Sequence, residues 1–237
     1  MLIKRLLFLS LFLAALSSFG GRALAQSVPQ QLVVTYVEFK PVDIKAGAQM
    51  LKELATDAEA SSGVVDFDVV QQIERPNFFA LFEVWTTPQA FLDFQSSSAN
   101  QAIQFQLTNV LEAPLDERLG NLLAGTLSAR TQSAEDGQIF VITHVDSDPQ
   151  FVAQITPLLD VFVKDSLQDS GVQTFALLSQ TGTTNHFQLV ETFTDMQAFD
   201  AHVSAQHTVE FRSSTAGFLG APYDERLYHF VNQNRDK

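Results

Sequence analysis

Apolar and polar residues alternate along residues 32–39, and several of the apolar positions are β-branched, which predicts a strand. Residues 43–60 then carry apolar side chains at roughly helical spacing, as in a helix with one buried stripe. Gly63 follows at the point where the end of a helix requires a conformationally permissive residue. The pattern therefore opens with a strand and a helix.

Two further strands are predicted at 64–73 and 77–85, on either side of a turn that contains proline and asparagine. Pro88 suits the first position of a second helix, and a threonine just before it can cap that helix. A shorter helical piece is predicted at 98–108, and the sequence DERLGNLL supplies a last strand. The resulting order, β-α-β-β-α-β, is that of the ferredoxin-like motif.

The chain carries this pattern twice. The sequence PLDERL at 114–119 returns as PYDERL at 222–227, an offset of 108 residues. At that offset, residues 32–119 and 140–227 share 27 identities in 88 positions without a gap, which indicates an internal duplication. The second set of elements is predicted at 138–146, 150–168, 172–180, 185–193, 195–213 and 223–231.

One ferredoxin-like unit leaves a face of its sheet uncovered, and a second unit in the same chain can cover it. We therefore predict an α+β fold in which two ferredoxin-like repeats pack sheet to sheet. The two DERL strands should have the same pairing register, because a slip of one residue would turn their apolar face outward.

The N-terminal segment has the features of a secretory signal peptide. Lys4 and Arg5 precede an apolar run that is too short to span a bilayer, and small residues precede a cleavage site after position 25. We therefore expect an exported protein, either periplasmic or secreted. The expected organisation is a signal peptide at 1–25, a first domain at 26–123, a linker at 124–137 and a second domain at 138–232.

Removal of the signal peptide takes away three basic residues and no acidic one, so the formal net charge changes from −13 to −16. A surface this acidic repels phosphate backbones and anionic lipids, which argues against nucleic-acid and membrane partners. The chain has no cysteine, which excludes disulfides, thiolate zinc sites and a cysteine nucleophile.

The stretch FQLVETFTDMQAFDAHVSAQHTVEF, residues 187–211, resembles the signature of the antibiotic biosynthesis monooxygenase family, which belongs to the dimeric α+β barrel superfamily. The resemblance extends over both repeats. It implies a barrel that is built from two ferredoxin-like units, here within one chain. Members of the family include cofactor-independent oxygenases that act on quinols, phenols and anthrones. The resemblance therefore implies no cofactor and a small aromatic or apolar ligand, and it allows two such chains to pair as a homodimer.

Oxidation of a phenol by dioxygen without a cofactor needs a base to deprotonate the substrate, a dry pocket and a donor to the developing oxyanion. His202 and His207 are the leading candidates for proton transfer, and His144 and Glu191 are further candidates. On an unbroken helix, His202 and His207 would point about 140° apart, so a shared pocket requires a break near Ser204.

The first repeat has Phe94 and Ala99 at the positions of His202 and His207, so we expect any reactive pocket in the second repeat. We also expect a Phe-rich cavity enclosed by the two halves. The candidate substrate-binding residues are Tyr36, Trp85, Phe193 and Asn185.

Other interpretations of these residues remain open. Glu83 and Glu191 recur at the same strand position, and a structural pairing with Arg118 and Arg226 explains them without catalysis. His202, His207 and Glu191 include the ligand types of a metal site, although no compact metal motif is present, and we expect no metal. The alternative function is a non-catalytic exported barrel that binds a small apolar ligand or has a stress-related role.

Overall fold

The computed structural model describes residues 30–127 and 137–231. The expected signal peptide lies outside the described residues, and so does most of the expected linker. No helix within the described ranges has the length and apolar content needed to cross a membrane.

The first repeat forms the predicted elements in the predicted order. These are β1 (Gln31–Glu38), α1 (Ile44–Ala60), β2 (Val64–Gln72), β3 (Phe78–Trp85), α2 (Pro88–Gln95), α3 (Ser98–Leu107) and β4 (Asp116–Thr126). Thr87 caps α2 by accepting a hydrogen bond from the backbone N–H of Ala90 at 3.0 Å. Strand β4 continues to Thr126, so the sheet includes the first residues of the segment that we assigned to a linker.

The second repeat has the same order of strands and α-helices as the first. Its elements are β5 (Ile139–Asp146), α4 (Val152–Ser166), β6 (Val172–Gln180), β7 (His186–Phe193), α5 (Met196–Ser204), α6 (Gln206–Thr215) and β8 (Asp224–Phe230). The stretch that we predicted as one helix at 195–213 is thus divided into α5 and α6. Short 3₁₀ segments stand at Pro149–Phe151 and Ala216–Phe218.

The eight strands close into a barrel in the order β1-β3-β2-β8-β5-β7-β6-β4. Each repeat contributes a four-stranded sheet, and the last strand of each repeat also pairs with an edge of the other sheet. Strand β4 pairs with β6, and β8 pairs with β2. The two DERL strands have the same register, because Tyr36 lies opposite Asp116 and His144 lies opposite Asp224. The predicted fold is confirmed.

The apolar side chains form three layers. One layer packs the helices of the first repeat on its sheet, a second does the same in the second repeat, and a third fills the barrel between the sheets. In the barrel, Phe140 packs against Phe82 and Phe230, with ring centroids 5.8 and 5.5 Å apart.

Among the described residues, the Phe-rich cavity that we expected between the halves is absent. The cavity beside Phe82 and Phe140 has a volume of about 20 Å³, which is room for about one water molecule. Branched and aromatic side chains from both sheets occupy the remaining space. This part of the barrel therefore has no room for an aromatic ligand.

Gly125 provides a test of the closure between β4 and β6. Its φ is +90°, and a Cβ at this position would lie 2.0 Å from the backbone oxygen of Phe175. Gly125→Ala is expected to lower the free energy of unfolding by about 2–4 kcal/mol, because the left-handed backbone and the overpacking both cost energy. Urea denaturation, monitored by circular dichroism, measures the loss in free energy of unfolding.

Gly182→Ala is the matched control, since Gly182 has a φ of +84° but a Cβ added there would have no neighbouring atom within 4 Å. This variant should lose only about 1 kcal/mol, the cost of the backbone conformation alone. Equal losses in the two variants would show that the close approach between β4 and β6 does not contribute.

Candidate functional site

The break between α5 and α6 brings His202 and His207 to one place. Ala205 has an extended backbone, with φ −62° and ψ 146°, and it joins the end of α5 directly to the start of α6. The centroids of the two imidazole rings are 5.6 Å apart as a result. The interruption near Ser204 that a shared pocket requires is therefore present, and it removes the angle that an unbroken helix would impose.

Asp169 completes this cluster, and it was not among the residues that the sequence singled out. It lies in the loop between α4 and β6. Its Oδ2 is 2.8 Å from Nδ1 of His202 and 3.3 Å from Nε2 of His207. Because a carboxylate only accepts, Nδ1 of His202 carries the hydrogen of the short contact. Nε2 of His202 is then left with the lone pair.

Phenylalanine rings surround His202. The rings of Phe162, Phe175 and Phe193 have centroids 5.7, 5.4 and 5.4 Å from that of His202. Phe211 stacks on Phe162 at a centroid distance of 4.1 Å. His202 is only 3% exposed, and burial is the main cause that lowers its pKa, while Asp169 acts in the opposite direction. The site therefore holds an oriented imidazole in apolar surroundings that favour its uncharged form.

The first repeat has a different surface at the equivalent place. Ser61, Phe94 and Ala99 stand 108 residues before Asp169, His202 and His207. All three line one pocket of about 290 Å³ that opens to solvent. All three polar members of the cluster are therefore missing from the first repeat, and the two repeats are not equivalent in chemistry.

A second polar cluster lies inside one end of the barrel. Tyr36 and His144, which are equivalent positions in the two repeats, meet with 2.6 Å between Oη and Nε2. Nη1 of Arg118 approaches Nδ1 of His144 at 3.3 Å, and Arg118 and Arg226 both lie over the ring of Tyr36. Burial, followed by the charges of the two arginines, lowers the pKa of His144 to about 4.

The predicted catalytic histidines are thus divided between two faces of the sheet. His144 points into the barrel with the apolar residues of its own strand at alternate positions, Phe140 and Ile142. His202 and His207 lie on the other side, between the sheet and the helices of the second repeat. One substrate in the second repeat cannot contact all three.

The structural pairing that we expected between the glutamates and the arginines is wrong. Glu83 lies opposite Val33, which lies opposite Leu119, so Arg118 points to the other face of the sheet. Glu83 instead accepts a hydrogen bond from Nε1 of Trp85 at 2.9 Å.

The second repeat shows the same departure. Glu191 accepts a hydrogen bond from Oγ1 of Thr143 at 3.2 Å, and Arg226 pairs with Asp224, just as Arg118 pairs with Asp116. Burial raises the pKa of Glu83 and of Glu191 to about 8. The carboxylate beside the two histidines is that of Asp169, so a metal site that uses Glu191 is not formed.

Four residues were predicted to bind substrate, and one of them, Phe193, has a ring contact with His202. Trp85 is fully buried in the first repeat and stacks on Phe94, with centroids 5.0 Å apart. Asn185 donates from Nδ2 to the backbone oxygen of Ser147 at 2.8 Å, which fastens the start of β7 to the end of β5. Tyr36 belongs to the barrel cluster.

Solved structures share this architecture. A candidate monooxygenase from Fusobacterium nucleatum superposes with a TM-score of 0.77 at 14% identity, over 86% of this chain and 93% of that chain. A candidate monooxygenase from Lactobacillus acidophilus gives a TM-score of 0.70 at 12% identity, over 86% and 94% of the two chains. An anthrone oxidase-like protein gives 0.66 at 8% identity, over 86% and 92%. At these identities the likeness concerns the fold.

A search of curated proteins finds no match to the chain. The sequence model of the antibiotic biosynthesis monooxygenase family, by contrast, matches residues 31–105 and again residues 138–214. The two matches cover more than half of the chain and fall one in each repeat. The chain therefore belongs to the antibiotic biosynthesis monooxygenase family, as a tandem duplicate.

Proposed function

We propose that the second repeat oxidises a small phenol, quinol or anthrone with dioxygen, without a cofactor, and that His202 accepts the proton of the substrate. The hydrogen bond between the buried His202 and the half-buried Asp169 is the observation that carries this proposal. Asp169 holds the hydrogen of His202 on Nδ1, so Nε2 presents a lone pair. Family membership supports the reaction class.

The redox balance of such a reaction needs no additional reductant. An anthrone methylene reacts with one dioxygen to give one carbonyl and one water, so the substrate supplies all four electrons that dioxygen accepts. Deprotonation comes first, because the anion gives up an electron to dioxygen far more readily than the neutral molecule does. The rings of Phe162, Phe175 and Phe193 exclude water from the imidazole that receives the proton.

His207 has a supporting role in this proposal. Its Nε2 stands 3.3 Å from the same oxygen of Asp169 that binds His202. Its side chain is about one-fifth exposed, at 21%, whereas that of His202 is 3% exposed. Of the two histidines, His207 is therefore the one with access to solvent, and it is suited to pass the accepted proton outward.

Oxygen consumption tests the proposal. Chelator-treated protein is expected to consume one dioxygen for each anthrone that it converts to the anthraquinone, or for each naphthol that it converts to the naphthoquinone. With ¹⁸O₂, one labelled atom should enter the product and the other should appear in water. Absence of uptake above that of heat-denatured protein across such a panel would overturn the proposal, and so would hydrogen peroxide as the reduced product.

A further inference from the structure

We infer that Asp169, His202 and His207 form a binding site for a divalent transition metal ion such as Zn²⁺. The three donor atoms, one from each residue, lie within 4.8 Å of one another. A metal ion bound to nitrogen and oxygen at about 2.0–2.2 Å holds its ligand atoms roughly 3–3.5 Å apart. The 3.3 Å separation between Oδ2 of Asp169 and Nε2 of His207 already corresponds to that spacing, and the 2.8 Å separation from Nδ1 of His202 needs to widen by only a few tenths of an ångström.

Nε2 of His207 is an independent sign of a missing partner. The atom is buried and has no hydrogen-bond partner, although the carboxylate oxygen of Asp169 is only 3.3 Å away. The two atoms are thus close without the alignment that a hydrogen bond requires. A buried ring nitrogen without a partner is costly, and a cation between the three donors would satisfy it.

The donor set selects the class of ion. Two imidazole nitrogens with one carboxylate oxygen suit zinc and other first-row transition metals, whereas Ca²⁺ and Mg²⁺ prefer oxygen ligands alone. Three protein ligands also leave at least one coordination position open for water or for another small ligand.

The first repeat supplies a comparison within the same molecule. Ser61, Phe94 and Ala99 stand where the second repeat has its three donors. All three differences remove a metal-binding group, and they occur on three separate segments of the chain. We therefore expect one ion per chain, bound in the second repeat.

A bound metal would block the proposed reaction, and this consequence rests on the proposed function. Coordination through Nδ1 of His202 requires that nitrogen to be free of hydrogen, so the hydrogen moves to Nε2. Nε2 then has no lone pair to accept a proton from the substrate. Zn²⁺ should therefore inhibit oxygen uptake at the stoichiometry at which it binds.

Metal binding to chelator-treated, full-length protein tests the site. Calorimetry measures the binding of Zn²⁺, and the visible absorption spectrum measures the binding of Co²⁺. One equivalent is expected to bind. Asp169→Ser and His207→Ala introduce the residues of the first repeat, and each should weaken binding by about tenfold or more. His186→Ala is the control, because it removes a histidine that pairs with Asp146 at 3.1 Å outside the cluster.

The possible outcomes distinguish the proposed metal site from the proposed reaction. No binding by folded protein, or equal binding by the Asp169→Ser and His207→Ala variants, overturns the metal site and leaves the proposed reaction standing. Binding of one equivalent without inhibition of oxygen uptake supports the metal site and overturns the role of His202 as proton acceptor. Circular dichroism of each variant establishes that it is folded before binding is scored.

Discussion

His202→Phe is expected to lower kcat for the oxidation of a phenol or anthrone by about 10²- to 10⁴-fold, the usual contribution of a positioned proton acceptor. Phenylalanine is the residue at the equivalent position of the first repeat, Phe94, which is itself buried at 7% exposure. The replacement therefore keeps an aromatic ring among aromatic neighbours and removes the proton acceptor. Steady-state oxygen consumption at saturating substrate measures the effect.

Asp169→Asn tests the same mechanism through orientation alone. An amide can donate a hydrogen bond to Nδ1 of His202, which favours the tautomer with the hydrogen on Nε2. The value of kcat should fall, as it does with His202→Phe, and KM should change less than kcat.

His229→Phe is the matched control for His202→Phe, because His229 is exposed on β8 and its side chain hydrogen-bonds to Gln71. A folded His202→Phe variant with near wild-type kcat would contradict the mechanism.

The duplication was readable from the sequence because it left no gap. An offset that is constant over 88 positions fixes the order, length and register of the second unit once the first is assigned. The break between α5 and α6 entered the sequence analysis only as a condition, since two histidines five residues apart cannot share a pocket on one regular helix. Most of the fold could therefore be predicted from the geometry of regular helices and strands.

Asp169 could not be found in the same way. It lies in a loop, where no periodicity assigns a direction to its side chain, and serine occupies the matching position 61. A comparison of the two repeats for polar residues that only the second repeat has would have identified Asp169 together with His202 and His207. Only the three-dimensional structure shows that these three differences meet.

The expected cavity and the expected glutamate–arginine pairs were both wrong, because amino-acid composition determines neither strand register nor packing. A high phenylalanine content is compatible with a cavity and equally with a filled barrel, and here aliphatic and aromatic side chains together fill the interior. The glutamates and arginines lie on strands that flank one shared strand, but Glu83 and Arg118 are one position out of phase across β1. Alternation then sends them to opposite faces.

The buried glutamates lead to the second large effect. Glu83→Gln together with Glu191→Gln is expected to make the protein several kcal/mol more stable at about pH 8, while leaving its stability near pH 4.5 almost unchanged. In the folded protein both carboxyls have a pKa of about 8, against an ordinary value of 4.5. Between those values the folded state keeps a proton that the unfolded chain has lost. Raising the pH through that interval therefore favours unfolding of the wild-type protein.

The size of the effect follows from the shift, since one pKa unit corresponds to about 1.4 kcal/mol, which sets an upper limit of roughly 5 kcal/mol for each carboxyl. The two residues lie in separate helix–sheet layers, so their effects should add. Glutamine resembles a protonated glutamate and has no charge to desolvate.

Denaturant midpoints of the variant and the wild type, measured across this pH interval, give the difference directly. His144, whose pKa of about 4 lies below its ordinary value, makes the opposite contribution between pH 6.5 and about 4, and it cancels in that difference. Glu53→Gln, an exposed substitution on α1, should leave the pH profile of the wild type unchanged. If the double variant shows the same loss of stability with rising pH as the wild type, then Glu83 and Glu191 are ionised in the folded protein. Their burial would in that case be compensated by charges other than Arg118 and Arg226, which face the opposite side of the sheet.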